Sequence, residues 1–128
     1  MDECRDCSNN EQVAICLRTV DMGTMQAVEY SVGLYATSDT TGKCLTDIFL
    51  NSIRRLTLDI EMMDGQCYDG ASNMKGEFKG VQARLKELQP LSFHVHCFNH
   101  SLNLGIQDTT KNLPAAREAL YSGSMMSV

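Results

Sequence analysis

The run Gln66-Cys67-Tyr68-Asp69-Gly70-Ala71-Ser72-Asn73-Met74-Lys75-Gly76 sets an acid between a short apolar segment and a Gly/Ser/Asn-rich turn leading into a helix. Read as a strand end, it presents Asp69 to solvent or to a cleft. Gly70 and Gly76 tolerate positive φ or close backbone approach, and Ser72 or Asn73 can cap the next helix by accepting a backbone N–H. Asp-Gly is equally an ordinary turn dipeptide. Two further stretches carry residues suited to chemistry, Asp2-Glu3-Cys4-Arg5-Asp6-Cys7-Ser8-Asn9 and His96-Cys97-Phe98-Asn99-His100-Ser101-Leu102-Asn103-Leu104. Cys97-x-x-His100 and Cys4-x-x-Cys7 have the spacing of two halves of a tetrahedral zinc site. In the plainer alternative Cys97 packs in the core and His100 hydrogen-bonds to orient its neighbours.

Other motifs fail. Gly65 and Gly70 have phosphate-loop spacing, but Ala71 stands where lysine is required. The acids following Asp64 do not match a calcium loop, and no nucleophile triad has a local signature. Lys75, Lys79, Arg84 and Lys86 form a basic cluster interrupted by Glu77 and Glu87, which reads as the solvated face of an amphipathic helix.

The elements that must position these residues follow from periodicity. Gln12 to Val20 is apolar and β-branched, a strand buried on much of both faces. Met22-Gly23-Thr24 reads as a turn. Glu29 to Thr37 alternates Tyr30, Val32, Leu34 and Ala36 with smaller or more polar residues, and pairs with the previous strand as an antiparallel hairpin. Asp39-Thr40-Thr41-Gly42 supplies caps for a helix with Leu45, Ile48, Phe49, Ile53 and Leu56 on one face, running to about Leu58. A short extended segment leads to Asp69. Phe78, Val81, Leu85 and Leu88 then make a helical stripe, which Pro90 ends. Leu91 to Cys97 alternates as a strand whose wetter face carries Ser92, His94 and His96. Further helices are expected from near Phe98, with Leu102 and Ile106, and over Pro114 to Leu120. These patterns amount to a mixed α/β domain over residues 1–121, with an unstructured tail at 122–128.

At 128 residues and 43% hydrophobic, the chain can bury one real core. No apolar stretch approaches eighteen residues, and Met1-Asp2-Glu3-Cys4-Arg5 lacks the apolar core of a signal peptide, so a soluble intracellular protein is expected. The six cysteines are accordingly expected as thiols rather than a disulfide framework. A net charge of −5 and a pI near 5.0 argue against autonomous DNA binding, and nothing points to a membrane or to a small-molecule substrate.

The three stretches, in this order and rough spacing, resemble the hAT-superfamily transposases, most of all the transposon-derived group containing MYM-type zinc finger proteins. That group carries a D-E-x-x-D-x-S start, a G-Q-x-Y-D-G-A-S-N-M-x-G centre and an H-C-x-x-H-x-L-N-L end. The resemblance covers about Asp2 to Asp108. It implies a ribonuclease H-like three-layer α/β fold, here lacking the strand that should precede Asp2. It also implies a nuclear location, and two Mg²⁺ or Mn²⁺ ions held by clustered carboxylates for DNA cleavage and strand transfer. By that resemblance Asp2 takes the role of first acid, with Asp6 as the alternative, and Asp69 the second. The two should meet at one edge of the sheet. The third acid belongs far downstream, and Glu118 has no motif around it to justify the role.

Cys97-x-x-His100 matches the family's C-x-x-H element, although the family usually has other residues at the positions of Cys4 and Cys7. The expectation is therefore transposase ancestry without catalysis in this chain, no tightly held metal, and DNA as a partner only within a full-length protein. The alternatives are a domesticated protein-association module and a zinc-stabilised structural module on Cys4, Cys7, Cys97 and His100.

Overall fold

Residues 11–36 fold back on themselves because two β-rich runs flank a turn that Asp21 organises. In the computed structural model, which describes residues 1–5, 7, 9–111 and 113 and of Arg5 only the backbone, β2 (Glu11–Asp21) pairs antiparallel with β3 (Gln26–Ala36). Asp21 Oδ1 accepts the N–H groups of Gly23 at 2.7 Å and Thr24 at 3.0 Å. Those bonds to the charged form hold the Asp21 carboxyl below the ordinary aspartate range. The ladder shifts register between Ile15 and Cys16: Ile15 faces Gly33 and Cys16 faces Ser31. Val32 is the extra residue of this bulge, and Gly33 takes the positive φ of 151° that it requires.

A further strand precedes the hairpin. β1 (Asp2–Arg5) runs antiparallel to β2, with Asp2 opposite Ala14 and Glu3 opposite Val13. These polar residues have weak local strand preference, and long-range pairing with β2 overrides it. The sheet order is β1-β2-β3.

The expected cap forms at the next element. Thr41 accepts the Cys44 N–H at 3.3 Å, and Asp39 in turn accepts the Thr41 N–H at 2.8 Å, starting α1 (Gly42–Arg55). Leu45, Phe49 and Ile53 point into the core, while the buried hydroxyls of Thr46 and Ser52 bond back to the carbonyls of Gly42 and Ile48. The helix stops at Arg55, short of the expected Leu58, because Thr57 turns to φ 56° and Leu58 N–H folds back onto Ile53 O at 3.0 Å.

A 3₁₀ turn over Ile60–Met62 leads to β4 (Gly65–Tyr68), α2 (Ser72–Lys75), α3 (Val81–Leu88) and β5 (Phe93–His96). Phe93 N–H donates to Asp64 O at 3.1 Å, so β4 and β5 leave the same end of a two-stranded sheet. The crossover through α2 and α3 makes that arrangement possible. The expected single stripe divides. Val81 and Leu85 are fully buried in α3, but Phe78 lies before the helix and is 80% exposed. Gly80 N–H bonds Gly76 O at 3.0 Å, closing a tight loop that separates α2 from α3.

The expected wet face is reversed over Leu91 to Phe93, while Val95 is half-buried like the histidines on either side of it. Leu91 and Phe93 are 86% and 61% exposed, whereas Ser92 is buried and His94 and His96 are half-buried. β4 decides this: its buried positions are Gln66 and Tyr68, and the Tyr68 ring lies 5.8 Å from that of His94. Because side chains alternate with a period of two, packing His94 against Tyr68 puts Phe93 outside.

The core is Val13 and Ile15 of β2, the three apolar residues of α1, Tyr68, Met74 of α2, and Val81 and Leu85 of α3. All lie in the first of two compact units, Met1–Val95. The second, His96–Val128, contains α4 (Phe98–Thr110), none of whose residues is buried. Among the described residues no helix is long and apolar enough to cross a membrane. The expected helix over 114–120, Glu118, Asp6 and the tail at 122–128 lie outside the described residues.

Leu45, fully buried at the centre of α1, is the side chain whose loss tests this core. Leu45→Ala is expected to cost about 2–5 kcal/mol in urea unfolding. Leu34→Ala, at a position 65% exposed on β3, should stay within roughly 0.5 kcal/mol. Equal losses would place the core elsewhere.

Candidate functional site

Residues directly opposite in an antiparallel ladder share a face. Glu3 is paired with Val13, which is fully buried, so the Glu3 side chain enters on the core side of β1. Met1, two residues away, packs against the same core. Asp2 and Cys4 lie on the other face and are exposed. The Asp2 carboxylate accepts the Glu3 N–H at 3.0 Å.

The second acidic stretch approaches from β4. Asp69 follows Tyr68, is half-buried, and accepts the Ala71 N–H at 3.0 Å in a local turn. Asp69 thus organises the start of α2, where Ser72 or Asn73 was expected to act as cap; the cap residue is Ala71, with no side-chain bond. Asn73 instead reaches out of the helix. Its Nδ2 donates to Glu3 Oε1 at 2.8 Å, to Glu3 Oε2 at 3.0 Å and to Thr40 O at 2.9 Å. All three partners are acceptors, which settles the orientation of the amide. Neighbouring Gly42 permits this approach: a Cβ there would meet Lys79 O and lie 2.9 Å from Asn73 O.

The Glu3 carboxyl is raised above its ordinary value, first by burial. The bond from Asn73 opposes the rise, while the charges of Asp69, Glu11 and Asp2 add to it in that order. Glu3 is thus held between a donor that favours its charge and acids that oppose it.

The remaining expected ligands belong to two different compact units, Cys4 and Cys7 to the first and Cys97 and His100 to the second. Cys4 and Cys7 are exposed. Cys97 is the half-buried cap of α4, its carbonyl accepting from the N–H and hydroxyl of Ser101 at 3.0 and 3.2 Å. The half-buried His100 ring meets that of His96 edge-on at 5.7 Å. Among the described residues no three His, Cys, Asp or Glu side chains are placed to hold one metal ion. The bond between Glu3 and Asn73 is what sequence reading missed. The two residues stand 70 positions apart, and no periodicity links them; the only signal was their membership in the two acidic motifs.

The raised Glu3 carboxyl has a stability consequence. The folded chain binds this proton more tightly than the unfolded chain, so the contribution of Glu3 to stability falls as pH rises from the ordinary value near 4.5 through the folded value. Glu3→Gln keeps an acceptor for Asn73 and removes the charge. Its stability relative to the parent, followed by urea denaturation, should therefore improve between pH 4 and pH 7. A difference that does not vary with pH would contradict the electrostatic account.

No solved structure matches the chain. Residues 1–80, which run from β1 through the turn before α3 and include both Glu3 and Asn73, match a family model described as DUF4371: ZMYM1/FAM200, RNase-like domain. The match supports the transposase-derived, RNase-like reading of this region. With well over half of its length matched and a mixed α/β architecture of sheets and helices, the chain belongs to the ZMYM1/FAM200 RNase-like domain family.

Proposed function

We propose that the chain is part of a hAT-type transposase catalytic domain in which Asp69 and an acid from the Asp2-Glu3 stretch, Asp2 by resemblance, face a divalent cation, and that this chain does not itself cut DNA. The observation that carries the reading is the meeting of the two acidic motifs: Asn73, four residues after Asp69, is bonded to Glu3, and the charge of Asp69 acts on Glu3. Hard cations such as Mg²⁺ or Mn²⁺ choose carboxylate oxygens, and strand cleavage by two ions needs donors enough to hold both. The residues fit this requirement in part. Oxygen donors come from β1 and from the turn after β4, but among the described residues no third acid, histidine or cysteine joins them as one set.

DNA would then be a partner only within a larger, nuclear protein, since the chain carries a net charge of −5 and its basic cluster at Lys75, Lys79, Arg84 and Lys86 is interrupted by Glu77 and Glu87. A second reading, a domesticated module for protein association, is favoured by α4, where Phe98 and Leu102 are 79% and 63% exposed.

With Mg²⁺ or Mn²⁺ supplied, the purified chain is expected to leave supercoiled DNA intact, and Asp69→Ala should change nothing in that assay. Mn²⁺ at millimolar concentration should nevertheless broaden the backbone amide resonances around Asp69. Metal-dependent nicking that disappears in Asp69→Ala would overturn the non-catalytic reading, and the lack of any Mn²⁺ effect near Asp69 would remove the cation from it.

A further inference from the structure

The basic residues whose spacing suggested one helix face are divided among separate elements. Lys75 ends α2, Lys79 lies in the loop that follows, and Arg84 is in α3. Lys43 joins them from the first turn of α1, because the carbonyl of Lys79 packs against Gly42 and accepts the Arg84 Nε–H at 3.2 Å. Phe78 stands between Lys75 and Lys79 and is 80% exposed. We propose that the loop over residues 76–80 is a contact surface for single-stranded nucleic acid, in which Phe78 stacks on a base while Lys43, Lys75, Lys79 and Arg84 meet the flanking phosphates. The contact requires no cation at Asp69.

The loop is held in shape by its own backbone. Gly80 N–H bonds Gly76 O at 3.0 Å; a Cβ on Gly76 would lie 2.5 Å from Ser72 O, and one on Gly80 would collide with Gly76 N. The exposed ring is therefore carried on closely packed main chain, which lowers the ordering cost of binding. The cations around it are available: among the described residues none of the four is ion-paired. Lys43, Lys75 and Lys79 are exposed, and Arg84 is half-buried with its guanidinium anchored through Nε. These surroundings favour nucleic acid over protein, because lysine is depleted in protein interfaces, whereas a basic surface with an interleaved aromatic is a platform for unpaired bases. Duplex bases are already stacked on one another and must be extruded before a ring can meet them. Glu77 lies in the same loop and Asp47 one turn beyond Lys43, so the contact is weak and salt-dependent.

Fluorescence anisotropy of labelled oligothymidine and oligouridine, titrated with the full chain at about 50 mM salt, tests the assignment. At least one of the two should bind, the tighter identifying DNA or RNA as the source, and a duplex of the same length should bind more weakly. Phe78→Ala should weaken binding about tenfold with the salt slope unchanged, and Phe78→Tyr should retain it. Lys75→Ala combined with Lys79→Ala should lower the salt slope by about 0.7 for each lysine removed. Phe78 is exposed, so both of its variants should keep the amide dispersion of the parent. Binding of neither oligomer, equal binding of the duplex, full binding in Phe78→Ala or loss of binding in Phe78→Tyr would overturn the inference. So would polyglutamate bound in preference to both oligomers, an outcome that assigns the loop to an acidic protein partner.

Discussion

One side-chain amide ties the amino-terminal strand to the rest of the core unit. β1 is only four residues long and pairs with β2 alone; a short edge strand of this kind has little intrinsic stability. Asn73 adds a charge-assisted bond from outside the sheet, and such bonds are worth roughly 1.5–3 kcal/mol when the charged partner is shielded from water. Glu3 is half-exposed, so solvent screening places its bond toward the weaker end of that range. The second proton of the same amide, on Thr40 O at 2.9 Å, fixes the approach to α1, so the loop before α1, β1 and α2 share one anchor.

Backbone comes close to backbone at the start of α1, beside the residue that carries the amide. Gly42 lies against Lys79 and Asn73, and any Cβ there would collide with main-chain oxygens. Beneath this contact Leu45, Met74, Val81 and Leu85 are essentially fully buried, so the polar junction sits on top of a close-packed apolar one. Interiors of that density deform little. Burial is also the first cause of the raised Glu3 carboxyl.

Helix α4 behaves differently. Phe98, Leu102 and Ile106 recur at four-residue steps as the sequence suggested, yet they are 79%, 63% and 44% exposed. Periodicity identifies an amphipathic helix without saying what its apolar face meets. The same limit applies to β5: alternation predicts a strand, which forms over Phe93–His96, but the exposure of Phe93 and the half-burial of His94 depend on Tyr68 of the neighbouring strand.

Local chemistry determined a good part of this protein by itself. The Asp39-Thr41 cap, the α1 face built on Leu45, Phe49 and Ile53, the β2–β3 hairpin and the strand leading to Asp69 all arise from bonds or periodicities within a few residues, which a sequence displays directly. So does the family, because its motifs are contiguous. Tertiary structure alone decided that residues 2–5 form a strand, that Gly76 and Gly80 split α2 from α3, and that Asn73 serves Glu3 rather than its own helix. Each of these depends on groups brought together from distant positions: Val13 opposite Glu3, backbone packed on Gly42, a carboxylate 70 residues from its amide. Such pairings carry no period in the sequence, since burial and hydrogen-bond satisfaction are settled only when the whole core closes.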